Sequence, residues 1–170
     1  MRTRSRFAHP EYIRNFTFGV EDSLASSVGL LAGIASAELS STAIVVTGFI
    51  LIFIEALSMG MGSLLSDQSA SEAEVRHEVS LSKSLPAALV MFTSYFLAGF
   101  IPIFPYVFFT RVDGMYVSIT ATLLALFGLG VLNARWAGIH VLKNGLRMLA
   151  IGGVVALSGI IAGDFLKLVF

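Results

Sequence analysis

The chain contains no cysteine, and only 13% of its 170 residues are charged. The absence of cysteine excludes disulfides, thiolate metal sites and thiol catalysis. The shortage of charge excludes a soluble domain, because a soluble surface of this size needs more charged side chains. Common catalytic and phosphate-binding patterns, such as Gly-x-Ser-x-Gly and His-Glu-x-x-His, are also missing. We therefore do not expect an enzyme, and nothing indicates nucleic-acid binding.

Hydrophobic residues, by contrast, make up 56% of the chain. A helix needs about 20 residues to cross the hydrocarbon core of a bilayer, and five segments are long enough. We predict an all-α integral membrane protein that forms one domain over residues 1–170. The predicted spans are 16–37, 41–65, 84–109, 115–135 and 147–167, and residues 66–83 form a short cytosolic connection. Pro102 and Pro105 predict a broken or kinked helix in the third span.

The basic residues predict an orientation. With a cytosolic N-terminus, nine arginines and lysines face the cytosol, and only Arg111 and Lys167 lie on the opposite side. Cytosolic loops carry the excess of basic residues, so we expect the N-terminus inside and the C-terminus outside. No organelle-targeting segment is evident, which favours a prokaryotic plasma membrane. Five crossings cannot divide into two equal halves, so a symmetric pathway would require a homodimer.

Four carboxylates fall inside the predicted spans. They are Glu21, Asp22, Glu55 and Asp164. An ionised carboxylate at the bilayer centre costs about 2.5–3.5 kcal/mol on insertion scales. No lysine or arginine lies deep in a predicted span to neutralise them. The missing counter-charge is therefore a proton or a mobile cation, which favours a cation pathway over an anion pathway.

Helical spacing places polar and small residues on one face of each of the first two spans. The first stripe consists of Asp22, Ser26, Gly29 and Gly33, and the second of Glu55, Ser58, Met59, Gly62 and Ser66. Two such faces on neighbouring helices would line one cavity, with the small residues either lining it or packing helices. Carboxylates combined with a thioether favour a transition metal such as Fe²⁺. Carboxylates that lose a proton on binding metal would also couple metal movement to proton movement.

Structural interpretations compete with each assignment. Glu21 and Asp22 lie near a helix start, where the helix dipole stabilises carboxylates. Glu55 is also consistent with a protonated packing residue, and Met59 with simple core packing. The three glutamates of the connection would either form a solvated face or gather cations at a cytosolic entrance. They are Glu72, Glu74 and Glu78.

Four segments together resemble the vacuolar iron transporter family. They are "FTFGVEDSLASSVGLLAGIASA", "EALSMGMGSLLSDQSASEAE", "ALVMFTSYFLAGFIPIFPY" and "NGLRMLAIGGVVALSGIIAG". The resemblance implies a homodimer of five-helix subunits that exports Fe²⁺, often also Mn²⁺, from the cytosol in exchange for protons. It implies that Asp22 and Met59 bind the ion, and that Glu11 attracts metal in the cytosol.

The chain also departs from that family's pattern. Asn-Asp-Gly is replaced by Glu21-Asp22-Ser23, Ser63 stands where the second helix carries a glutamate, and the long metal-binding insertion is reduced to 66–83. We expect Glu55 to compensate for the missing carboxylate.

The leading hypothesis is a proton-coupled exporter of Fe²⁺, with Mn²⁺ as a second candidate cargo and no permanently bound cofactor. Its partners would be a second copy of the chain, the lipid bilayer, divalent metal ions and protons. Asp22 and Met59 would bind the ion, while Glu55 and Glu21 would assist or carry protons. The alternative is a non-transporting membrane scaffold or regulatory subunit of the same fold. A carrier of small organic cations is a third option, but few aromatic residues lie on the two polar faces.

Overall fold

The computed structural model describes residues 10–169, and its secondary structure is helical. The helices are α1 (Pro10–Ser36), α2 (Ser41–Val75), α3 (Leu85–Ala98), α4 (Phe100–Phe108), α5 (Arg111–Ala137) and α6 (Val141–Val169), with a 3-10 turn at Leu81–Lys83. Helices α3 and α4 together form one span-length unit. Within residues 10–169, five segments are therefore long and apolar enough to cross a membrane. The predicted helical class and the predicted number of crossings are confirmed.

Helix α2 extends well beyond the predicted span. Its 35 residues run from Ser41 to Val75, about 52 Å at 1.5 Å per residue, whereas the hydrocarbon core is about 30 Å thick. Residues 66–75 are polar but contain no glycine or proline, so hydropathy falls while the helix continues. The helix ends at Arg76, whose left-handed backbone directs its N–H to the Glu72 carbonyl. The predicted connection 66–83 is therefore helical over its first ten residues.

The third crossing is interrupted, as its prolines predict. Helix α3 ends at Ala98 and α4 begins at Phe100, with Gly99 between them. Pro102 cannot donate a hydrogen bond to the Ala98 carbonyl, and its ring crowds that carbonyl. The Pro102 carbonyl in turn accepts a hydrogen bond of 2.7 Å from the Ser118 hydroxyl of α5. The interruption is therefore fixed by a neighbouring helix.

Helix α1 lies at the centre of the bundle and contacts each of the other five helices. Four of its apolar side chains, Leu24, Val28, Leu31 and Ala32, are completely buried. The outward faces of α2, α5 and α6 expose large apolar side chains, as expected for surfaces that meet lipid. Below, the near end of the bundle is the end where α1 begins, and the far end is where α1 finishes.

Glycines bring α1 and α6 into close contact near the far end. Gly29 and Gly33 of α1 pack against Gly159 and Gly163 of α6. A Cβ atom added at Gly33 would lie 2.8 Å from the Gly159 carbonyl oxygen, closer than real Cβ contacts. Gly29 and Gly33, which the sequence places on one face of α1, therefore pack against a glycine pair of α6 within one chain.

Candidate metal pathway between α1 and α2

The facing surfaces of α1 and α2, called the seam here, run antiparallel and carry polar contacts at the near end. Arg14 of α1 forms an ion pair of 2.8 Å with Asp67 of α2. On the adjoining face of α1, the buried Asn15 donates hydrogen bonds to Ser63 Oγ at 2.8 Å and to the Ala87 carbonyl at 3.0 Å. Ser63 therefore accepts a structural hydrogen bond, and α1, α2 and α3 are tied together at this level.

Two carboxylates lie close together farther along the seam. Asp22 of α1 and Glu55 of α2 are near enough to interact electrostatically. Glu55 Oε2 accepts a hydrogen bond from the Tyr95 hydroxyl and another from Ser26 Oγ at 3.3 Å. The Ser26 and Tyr95 hydroxyls are also 2.8 Å apart. The seam thus combines two acidic groups with two hydroxyls that are able to move or share a proton.

A hollow of about 440 Å³ lies on the near side of these carboxylates and is called the seam hollow. It is lined by Arg14, Asn15, Phe18, Met59, Gly62, Ser63, Ser66, Asp67 and Met91. Met59 lies one helical turn from Glu55, as Phe18 does from Asp22. Met59 and Met91 therefore present two thioether groups to the same cavity, and Met59 lies one turn of α2 from Glu55. Carboxylate and thioether ligands together suit a transition-metal cation.

The seam is closed on the far side of the carboxylates. Leu31, Ile44 and Ile52 are at most 1% exposed and belong to one apolar cluster between α1, α2 and α4. Gly48 allows this packing, because a Cβ there would lie 2.9 Å from Leu31 Cδ2. The polar part of the seam therefore ends at the level of Ser26 and Glu55.

The other residues singled out from the sequence lie in three different places. Glu21 lines a separate hollow between α1 and α5, so the structure does not bring it to the Asp22 and Glu55 pair. Gly29 and Gly33 face α6 and belong to the helix crossing. Ser58 is exposed, whereas Gly62 lines the seam hollow with open space around its Cα.

The candidate entrance glutamates are divided as well. Glu11 and Glu74 line a second hollow of about 360 Å³ at the near end, called the end hollow, together with Arg14, Asp67, Ala70, Ser71, Lys83 and Ser84. Glu72 Oε1 instead accepts hydrogen bonds from Gln68 Nε2 at 3.0 Å and from the Val79 N–H at 3.2 Å. Glu78 is exposed beyond the end of α2. Only two of the four glutamates therefore line this hollow.

Sequence reasoning missed three residues of the seam. Tyr95 and Met91 belong to α3, and nothing in the local sequence of that helix shows which face meets the seam. Asp67 lies beyond the predicted end of the second span. Met59, Ser63 and Asp67 are spaced by four residues, which places them on one helix face. This spacing could have predicted that Asp67 faces the seam if the helix continues to that residue.

Two negative findings limit what one chain offers to a cation. Within residues 10–169, no three histidine, aspartate or glutamate side chains converge as a metal site. The described part of the chain forms two ion pairs, Arg14–Asp67 and Lys167–Glu38, and neither involves Asp22 or Glu55. The central carboxylates therefore have no fixed cationic partner in the described protein.

Comparison with known proteins gives a consistent result. The model of the VIT family matches residues 13–83 and 72–164, two segments that overlap on the stretch after the membrane part of α2. Vacuolar iron transporter 1 of Arabidopsis thaliana is 24% identical over 214 aligned positions, which cover 91% of this chain and 86% of the relative. Vacuolar iron transporter 1 of Oryza sativa subsp. japonica is 23% identical over 210 positions, covering 88% and 83%. The family match spans most of the chain, so the protein is a member of the VIT family.

Proposed function

We propose that this protein is a proton-coupled transporter that exports Fe²⁺, and also Mn²⁺, from the cytosol through the seam between α1 and α2. The observation that carries the proposal is the pair of carboxyl groups of Asp22 and Glu55, which form no ion pair within residues 10–169 and lie beside a cavity with two thioethers. Membership of the VIT family and two relatives named as iron transporters support iron as the cargo.

Asp22 and Met59 are the proposed ligands of the ion inside the membrane. A charged carboxylate at this depth costs several kcal/mol without a partner, so a divalent cation at Asp22 and Glu55 removes an electrostatic penalty. The thioether of Met59 favours a softer transition metal over Mg²⁺ or Ca²⁺. Because Glu21 faces α5, its proposed role is confined to the neighbouring hollow.

Glu55 is the proposed proton carrier. Its carboxylate accepts hydrogen bonds from Tyr95 and Ser26, which hold it beside Asp22. Arrival of a cation at Asp22 would favour release of a proton from Glu55, and departure of the cation would favour its return. This exchange would couple the two movements.

The near end is the proposed cytosolic side, in line with the excess of basic residues there. The seam hollow lies on the near side of the carboxylates, and the apolar cluster around Leu31 and Ile52 closes the far side. This arrangement corresponds to a state that receives metal from the cytosol. Glu11 and Glu74 would concentrate cations at the end hollow, whereas Glu72 is committed to local hydrogen bonds and Glu78 would act only from a distance.

A homodimer would complete the site. One chain supplies Asp22 and Glu55 to the centre of the seam, and within residues 10–169 no three acidic or histidine side chains converge closely enough to hold a metal ion. A second copy facing the seam would double the number of ligands around the ion. Two copies would also supply the symmetry that five crossings cannot provide within one chain.

The test is metal flux in liposomes that contain an Fe²⁺-sensitive dye and carry a pH gradient. We expect the wild type to move Fe²⁺ and Asp22→Asn to reduce the flux at least about tenfold, the loss of one charged ligand interaction. Asp164→Asn is the matched control, since Asp164 is an exposed carboxylate on α6, away from the seam. Unchanged flux in Asp22→Asn would overturn the proposed pathway.

An inactive wild type would favour the alternative, a membrane scaffold or regulatory subunit. The observation behind this alternative is Ser63, which occupies the position of the family's second-helix glutamate and is hydrogen-bonded to Asn15. Retained binding of Fe²⁺ without flux would distinguish a blocked transporter from a scaffold.

A further inference from the structure

The end hollow and the seam hollow meet at one pair of residues. Among residues 10–169, Arg14 and Asp67 are the two that line both cavities. Their side chains form an ion pair of 2.8 Å at this junction. The pair therefore lies at the boundary between the end hollow and the part of the seam that contains Met59.

We propose that the Arg14–Asp67 ion pair is a gate between the two hollows, which a divalent cation opens by replacing Arg14 at the Asp67 carboxylate. The identity of the cation rests on the proposed function. The gate itself rests on the geometry of the near end.

Asp67 is only half satisfied by Arg14. Oδ1 accepts the hydrogen bond from Arg14 Nη2, whereas Oδ2 is buried and has no hydrogen-bond partner among residues 10–169. A buried carboxylate oxygen without a donor is unfavourable, and a metal ion is a ligand that satisfies it. The Asp67 side chain is only 18% exposed, so most of it is buried at the junction.

Arg14 is the movable partner. Its side chain is 65% exposed, and its other hydrogen bond within residues 10–169 is a long one of 3.4 Å from Nε to Asn15 Oδ1. An arginine that leaves the pair therefore passes into solvent at little cost. While it is paired, its positive charge repels cations from the junction and neutralises the carboxylate that would attract them.

Four-residue steps along α2 connect this gate to the central carboxylate. Glu55, Met59, Ser63 and Asp67 fall on one helix face, and the last three line the seam hollow. A cation released from Asp67 would reach Met59 after two helical turns. Asp67 thus adds a carboxylate step between the end hollow and the thioether.

The first test measures the half-saturating metal concentration for flux. Arg14→Gln should lower this concentration about fivefold, because metal no longer competes with a partly exposed ion pair. Asp67→Asn should raise it, Asp67→Glu should restore it towards the wild type, and Arg14→Gln should have no effect in the Asp67→Asn background. Arg135→Gln is the charge-matched control, since Arg135 is exposed at the same end but lines neither hollow.

A second test does not require transport. The chain has no cysteine, and Met59 lines the seam hollow and is only partly exposed, so Met59→Cys introduces a single reporter thiol. A polar, uncharged thiol reagent added from the near end should label this thiol faster when Arg14→Gln is also present, but not when Arg135→Gln is. Equal melting temperatures of these variants in detergent would exclude unfolding as the cause of faster labelling.

The outcomes separate the gate from the proposed function. The gate would be overturned, and the pathway left intact, if the wild type transports metal but Arg14→Gln and Asp67→Asn have the same half-saturating metal concentration as the wild type. A wild type without flux would overturn the proposed function, and the labelling rates would then decide the gate alone. Equal labelling in the Arg14→Gln and Arg135→Gln variants would overturn it.

Discussion

The two halves of α1 differ in the surfaces that they present to neighbouring helices. The near half presents Arg14, Asn15 and Asp22 to polar groups of α2 and α3, beside cavities of several hundred cubic ångströms. The far half presents Gly29 and Gly33 to the backbone of α6, where no Cβ atom fits. The same helix therefore combines an open polar surface with a tightly packed one.

The difference shows where stability and chemistry are located. In a membrane, helices associate through close packing and hydrogen bonds, because lipid is as apolar as leucine. The glycine crossing supplies the packing, which allows the near half to keep polar cavities that contribute little to stability. Substitutions at the glycine crossing should therefore affect folding, and those at Asp22 and Glu55 should affect mainly the proposed transport.

The largest expected effect comes from Gly159→Ala on α6. Its Cβ would overlap the Gly29 carbonyl, so α1 and α6 would have to separate. Overpacking of this kind costs about 1–3 kcal/mol or more. We expect a clear fall in melting temperature in detergent. Gly153→Ala on the same helix has open space and should be neutral or slightly stabilising. Equal melting temperatures for the two variants would contradict the tight crossing.

Asn15→Ala should have the next largest effect, since Asn15 is a buried polar residue that joins the near half of α1 to α2 and α3. Its loss leaves the Ala87 carbonyl without its side-chain donor and costs about 1–3 kcal/mol. Asn133→Ala is the control, because Asn133 accepts a hydrogen bond from Thr17 on a less buried side of α1. The melting temperature should fall more for Asn15→Ala than for Asn133→Ala, and the reverse order would be inconsistent with the packing described.

Tyr95→Phe should change transport more than stability. The variant removes the hydroxyl that donates to Glu55, so the proposed proton exchange of Glu55 would be altered. We expect a shift in the pH profile of Fe²⁺ flux and about a tenfold lower rate under a pH gradient. Tyr106→Phe, in the apolar cluster that includes α4, is the matched control and should keep the pH profile and the flux rate of the wild type. An unchanged pH profile in Tyr95→Phe would remove Tyr95 from the proton pathway.

The smallest expected effect is at the far-end surface. The hydrogen bond and positive charge of Lys167 lower the pKa of Glu38, which lies in the turn after α1. The pair therefore adds stability at neutral pH, and this contribution disappears as the pH falls through the lowered pKa. Glu38→Gln should reduce the melting temperature slightly at pH 7 and not at acidic pH. A larger loss at acidic pH would have the wrong sign.

Much of this arrangement follows from the sequence. Hydropathy identifies the five crossings, prolines identify the interrupted one, and helical spacing places Asp22, Glu55 and Met59 on two faces that meet at one seam. Glu21 lies elsewhere because adjacent helical residues point about 100° apart, so Glu21 and Asp22 cannot face the same neighbour.

Other features depend on tertiary packing or on more than hydropathy. The rotation of α3 that brings Tyr95 to Glu55 is set by its neighbours, so no local pattern reveals it. The polar end of α2 stays helical because helix propensity continues after hydropathy falls, and Asp67 is positioned by this extension. The sequence also does not show that Gly29 and Gly33 pack against α6, because small residues are suited either to a pathway or to a helix crossing.

Thiol accessibility at Met59 tests the central claim most directly, namely that the seam is a wet cation pathway at membrane depth. In a cysteine-free chain, Met59→Cys should react with a water-soluble, membrane-impermeant thiol reagent, and Mn²⁺ should slow that reaction. Leu57→Cys, two residues away on the lipid-facing side of α2, should react slowly with or without Mn²⁺. Equal rates at the two positions, or no protection by Mn²⁺ at position 59, would contradict the pathway.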